Sequence, residues 1–234
     1  MPRKKEKKPE GILEVKKTEQ YRTVEELFEK SKPSSLYYTL LVLSAVVVAS
    51  GLILNNAAIV IGGMLIAPVL TPLLLIALAI VVGEVESVKH SSVLIAKSVG
   101  ILIGVSVLMG IFFEGGSELN VFEDSIASGI LYFIVAIVSG VAATFAWTRK
   151  EVADILPGIA VSVSLVPPLV LSGLALSTFD FELLRSTLLI FVFNFFGIVL
   201  GSMVVFSLLK FYKTQQKVHK ESEEQTAEQK ANAS

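Results

Sequence analysis

The stretch GMLIAPVLTP (63–72) decides the fold. It lies inside a hydrophobic run long enough to cross a bilayer, and it carries Pro68 and Pro72. A proline in a helix interior removes a backbone hydrogen bond and clashes with the preceding turn, at roughly 3 kcal/mol or more. In lipid no water can satisfy the freed carbonyl, so such a break survives only against protein or a hydrated cavity. A second stretch of this kind, VSLVPPLVL (163–171), follows about one hundred residues later. Two breaks at matching places in two halves point to an internal repeat with a site between its members.

Composition agrees with a membrane location. Hydrophobic residues make up 53% of the 234, and the mean hydropathy of +0.71 exceeds the balance of a soluble domain. Between residues 36 and 209 the charged residues fall mostly in short connectors and in one acidic loop, leaving stretches of ~20 nearly uncharged residues. The chain has no cysteine, which excludes disulfides, thiolate catalysis and cysteine metal sites. His90 and His219 lie far apart with no ligand spacing around them. The spans hold no His/Asp/Glu cluster, no serine with a nearby base and no phosphate loop. No enzymatic activity, catalytic residue, metal or cofactor is therefore expected, and no nucleic-acid partner.

Six spans are predicted, at about 36–54, 57–82, 93–113, 126–147, 152–176 and 183–209. Residues 1–35 form a basic tail with no apolar core or cleavage site, so no signal peptide is expected. Within it, Val24, Leu27 and Phe28 at helical spacing before Pro33 predict either a short amphipathic helix on the membrane surface or a weakly ordered tail. Residues 210–234 form a polar tail, largely disordered past about 222. Basic residues set the orientation. With the N-terminus inside, the cytosolic pieces hold eighteen of the twenty Lys and Arg, and the acidic loop falls outside. The expected location is the inner (plasma) membrane, multi-pass, with both termini cytoplasmic.

The halves, 36–113 and 126–209, each contain three spans, so the second must enter the membrane from the opposite side. The expected fold is all-α: six transmembrane helices in a 3+3 inverted repeat, with the second and fifth helices broken at proline. Matching Pro68 to Pro168 overlays 58–76 on 158–176 without a gap.

Candidate binding residues cluster at the breaks. Asn55 and Asn56 open the second span, where Asn56 either caps the helix or faces a ligand. The ~27 residues from there to Gly83 would rise about 40 Å as a straight helix, more than a ~30 Å core needs. Gly62 and Gly63 with Pro68 and Pro72 favour a bend or an unwound stretch. The Pro167-Pro168 pair is the surer interruption, because a residue before proline is pushed out of the helical region. Thr71, Ser162, Ser164 and Ser172 are the nearest hydroxyls. They either help freed carbonyls hold a solute or back-bond to their own helices. Apart from Arg185 at the very start of the last span, Lys97 is the only basic residue inside a span; it faces a cavity or snorkels to the cytosolic interface. Asn194, at a comparable place in the last span, needs an interhelical partner or a substrate. Glycines at 100 and 104, and at 197 and 201, give the third and sixth spans small faces suited to close helix crossing.

The blocks AAIVIGGMLIAPVLTPLL and LPGIAVSVSLVPPLVLSGLAL, followed by FVFNFFGIVL, resemble the prokaryotic membrane family catalogued as domain of unknown function 389. Ile61, Gly62, Met64, Leu65, Ala67, Pro68 and Pro72 carry the first motif. Pro157, Gly158, Leu165, Pro167, Pro168 and Gly173 carry the second, and Asn194 the third. The resemblance covers about 36–209 and implies the multi-span architecture rather than an activity. Gly63 stands where the family usually has alanine, and a short basic tail is expected here in place of the folded cytosolic domain that many family members carry before the spans.

The expected function is a secondary transporter or channel for a small solute or ion, using the paired broken helices. The alternative is a non-transporting scaffold or sensor acting through its basic tails and helix packing. Expected partners are the bilayer, a small solute or ion, anionic lipid at the basic tails and further copies of the chain.

Overall fold

A computed structural model describes residues 15–113, 126–149 and 165–232. Among these the regular structure is entirely helical. In chain order it comprises α1 (Lys17–Lys30), α2 (Ser35–Ile53), α3 (Ala57–Ile66), α4 (Leu70–Val82), α5 (Val85–Phe112), α6 (Ile126–Thr148), α7 (Val166–Ser177) and α8 (Phe181–Leu208), then a 3₁₀ turn (Phe211–Thr214) and α9 (Gln215–Asn232). The acidic loop and the first half of the expected fifth span lie outside the described residues.

Among the described residues, helices α2, α5, α6 and α8 are long and apolar enough to cross a membrane, and α3 with α4, bent by 54° at their break, are together long and apolar enough for one more. Helix α7, at 12 residues, is too short to cross alone. The outward faces carry large apolar side chains at helical spacing: Ile130, Ile134 and Val138 on α6, and Phe193, Phe196, Leu200 and Val204 on α8. Stripes of that size are anomalous in water and natural against lipid tails. The chain is a helical membrane protein.

Interior positions go to α4 and α7. Residues 71–79 of α4 and 168–175 of α7 are buried without interruption. A helix apolar all round has no solvent face and belongs inside. Helix α4 packs on α5 and α8, and α7 on α8 and α5; α6 lies along α8, and α2 contacts α3, α5 and α7.

Helix pairs α4–α5 and α7–α8 share one spacing. Leu70 and Val166 begin 96 residues apart, as do Val85 and Phe181, and the later helices end at Phe112 and Leu208 with the same separation. Both connecting turns are left-handed, with φ of 83° at Gly83 and 58° at Phe179. Both close alike, Glu84 N donating to Ala79 O and Asp180 N to Ala175 O, each at 2.9 Å. This spacing differs by four residues from the match of Pro68 to Pro168. It sets Pro72 against Pro168, each being the third residue of its helix. The two registers differ by about one helical turn, which leaves an apolar face almost unchanged.

The polar ends fold onto one side of the bundle. Val24, Leu27 and Phe28 of α1 are buried, as expected of an apolar stripe, but their contacts are protein. Helix α1 packs against α4, α6 and α9. It therefore does not lie with its apolar face in the membrane surface. Composition predicts disorder past about 222, whereas α9 continues to Asn232. The reason is a buried seam of Val218, Ser222 and Gln225 together with ion pairs Lys217–Glu221 at 2.8 Å and Lys32–Glu228 at 2.8 Å. Lys217 also pairs with Glu25 of α1.

Candidate functional site at the helix breaks

The first break lies at 67–69. Ile66 ends α3, Ala67 turns extended with φ −67° and ψ 124°, and Val69 leads into α4. Pro68 has no N–H, so it cannot serve the carbonyl of Met64 one turn earlier. Beside it, the Ser44 hydroxyl of α2 donates to the Gly63 carbonyl at 2.8 Å. Gly63 is buried against Val48, where a Cβ would overlap, so the glycine lets α2 approach and make that bond. Gly62, its neighbour, faces open space.

Helices α4 and α7 both begin without a side-chain cap, at Val69 and Leu165. An uncapped start inside apolar surroundings leaves first-turn N–H groups without helical partners. Prolines reduce that number. Pro167 and Pro168 remove two donors from the first turn of α7, while Pro72 removes one from α4. Helix α4 thus directs more free backbone dipole at its start, with buried Thr71 alongside. Pro167 and Pro168 stand in the first turn of α7; what precedes Leu165 lies outside the described residues.

Buried polar groups line the packed seams around these helices. Ser172 of α7 donates to Pro168 O at 2.8 Å and meets Thr187 of α8 at 2.7 Å. Tyr37 of α2 meets Ser98 of α5 at 2.9 Å, and Ser98 also donates to Leu94 O. Asn194 is buried on α8 and partnered. At the spacing of 96 its counterpart is Ser98, and not Lys97. Ser44, Tyr37, Ser98 and Thr187 escape the sequence reading of the site. A signal for the seam exists: Ser87, Ser91, Ser98 and Ser106 recur at near-helical intervals on one buried face of α5.

The remaining candidates separate. Asn56 uses its side chain to cap α3, accepting from Ala58 N at 3.0 Å and Ile59 N at 3.3 Å in an exposed turn. Lys97 is exposed and lies in a cleft with His90, near the start of α5. Ser162 and Ser164 fall outside the described residues. The two small faces also differ. Gly197 and Gly201 of α8 pack against α6, where Gly140 in turn meets Ile198, whereas Gly100 and Gly104 of α5 face open space. The expected packing role holds only for the second pair.

Comparison with known proteins adds kinship without an activity. Residues 64–200 match the family described as "Domain of unknown function (DUF389)". A curated relative, an uncharacterized protein of Methanocaldococcus jannaschii, is 27% identical over 200 residues, covering 85% of this chain. The chain spans 60% of that relative's length. No solved structure matches. With more than half of its length matched, the chain belongs to the family named domain of unknown function 389.

Proposed function

We propose that the protein is a secondary transporter or channel for a small solute or ion, with its site at the starts of α4 and α7. The observation that carries this reading is the exchange of partners between two buried half-helices. Helix α4 packs on its own neighbour α5 and on α8, while α7 packs on its own neighbour α8 and on α5. Reciprocal packing of this kind is what a pseudo-two-fold axis between inverted repeats produces. The common spacing, the paired left-handed turns and the contact of α7 with α3 support the same reading.

Six crossings fit the positions of the chain's ends. Helices α1 and α9 pack together, which calls for an even number of passages, one more than the five apolar units among the described residues. The distribution of Lys and Arg favours the cytosol for that side, in a prokaryotic inner membrane.

The natural absence of cysteine makes the test direct. In the full chain in membranes, Ala67→Cys and Thr71→Cys are expected to react with a membrane-impermeant thiol reagent. Leu74→Cys, deep in α4, is expected to stay inert. If all three are equally inert, the breaks are dry packing elements and the transport reading fails.

A further inference from the structure

We propose a phosphate-binding cleft on the face that carries both chain ends, occupied by the headgroup of an anionic phospholipid. It is independent of the transport reading. The cleft joins the end of α1, the start of α2, the first turns of α5 and the end of α9, and has a volume of about 60 Å³. That is room for a headgroup phosphate and too little for a drug-sized solute.

Its polar lining consists of Ser31, Tyr38, His90, Ser91 and Lys97 with the amides of Gln225 and Gln229, and no carboxylate. Three of these have unspent donor capacity. Ser31 is 3% exposed and its Oγ has no hydrogen-bond partner. His90 Nδ1 is also buried without one, and it donates in the Nδ1–H tautomer or the imidazolium. Lys97 makes no ion pair among the described residues. Buried polar groups in native proteins are nearly always satisfied, so a cluster of unserved ones implies a missing acceptor.

The nearest acids do not compete for the cleft. Glu86 lies 3.8 Å from His90 Nε2, on the other side of the ring, and also pairs with Lys89; Glu228 is held by Lys32 at 2.8 Å. An acceptor with several oxygens and a negative charge suits a hydroxyl, an imidazole nitrogen, an ammonium and amides together. A free phosphate and a lipid phosphate share that chemistry. The mouth decides for the lipid. Val93 in the lining is 54% exposed, and Leu36, two residues before Tyr38 of the lining, is 68% exposed. Both present apolar surface where acyl chains would begin, and Lys97 sits one turn deeper on α5, within snorkelling reach of the interface.

The test is thermal unfolding of the purified full chain in neutral detergent, titrated with short-chain phosphatidylglycerol, short-chain phosphatidylcholine or inorganic phosphate. Phosphatidylglycerol is expected to raise the midpoint most, since the choline ammonium opposes Lys97. Lys97→Gln should weaken its apparent affinity about tenfold, as loss of a charge-assisted contact does. Lys213→Gln, the same charge change at an exposed position outside the cleft, should leave it unaltered. Ser31→Ala should weaken it several-fold and carries the test if Lys97→Gln fails to fold. Equal response of Lys97→Gln and the unmodified chain overturns the proposal. So does a full shift with inorganic phosphate alone, which would assign the cleft to a soluble anion.

Discussion

At the residue scale, glycine matters here through what it touches. A Cβ at Gly201 would run into Ile137 O on α6, and one at Gly140 into Ile198 on α8. Gly201→Ala should therefore cost about 1–3 kcal/mol, as overpacking of a tight contact does. Gly104→Ala meets nothing and should be neutral or stabilising by up to about 1 kcal/mol, since alanine favours the helix. Thermal midpoints of the two variants in detergent decide the comparison; equal losses would mean that α5 buries its glycine face as α8 does. The paired turns give a second contrast. Gly83 adopts φ of 83° without strain, whereas Phe179 adopts 58° with its ring 75% exposed. Gly83→Ala should cost about 1 kcal/mol and Phe179→Gly should return a similar amount, both read by the same melting experiment.

Elements show why the break at 67–69 persists. Pro68 withdraws a donor, but the flanking helices are also held separately. Helix α3 is fixed to α2 by the close approaches at Gly51 and Gly63 and by the Ser44 bond, while α4 is enclosed by α5 and α8. Pro68→Ala should leave most of the 54° bend in place, measured as the distance between spin labels on α3 and α4. A straight helix in that variant would make the proline the sole cause. Ser44→Ala should cost about 1 kcal/mol, the usual scale of an interhelical hydrogen bond in a membrane.

On the scale of the whole molecule, the two polar ends form one cap through α1 and α9. Hydrogen bonds from Lys217 to Glu221 and Glu25 hold its ammonium above the ordinary lysine range. A raised folded-state value means that the stabilisation is complete below the ordinary value of 10.5 and is lost as pH rises through the folded one. The cap should thus hold unchanged through neutral and mildly alkaline pH and loosen only above about 10.5. The single tryptophan reports it, because Lys30 of α1 lies 4.9 Å over the ring of Trp147. Emission that changes between neutral pH and 10 would assign the cap to other groups. Lys217→Ala should loosen the cap already at neutral pH and reduce the alkaline change, and salt should weaken the exposed pairs.

Much of this was legible in the order of residues. Apolar runs, the prolines and the basic tails are local signals: each acts through its own backbone or through bulk partition into lipid. They determined the membrane class, the long apolar helices α2, α5, α6 and α8, and the break before α4. Register and pairing were beyond them. A shift of one helical turn leaves an apolar face intact, so only the packed turns at Gly83 and Phe179 fixed the spacing at 96. Nor could composition tell which glycine face is filled, or that α1 and α9 would order each other, since both depend on surfaces brought together from distant parts of the chain. The cleft around Ser31, His90 and Lys97 is the clearest case. Its residues come from both ends and the middle of the sequence, and only the tertiary structure places their unspent donors together.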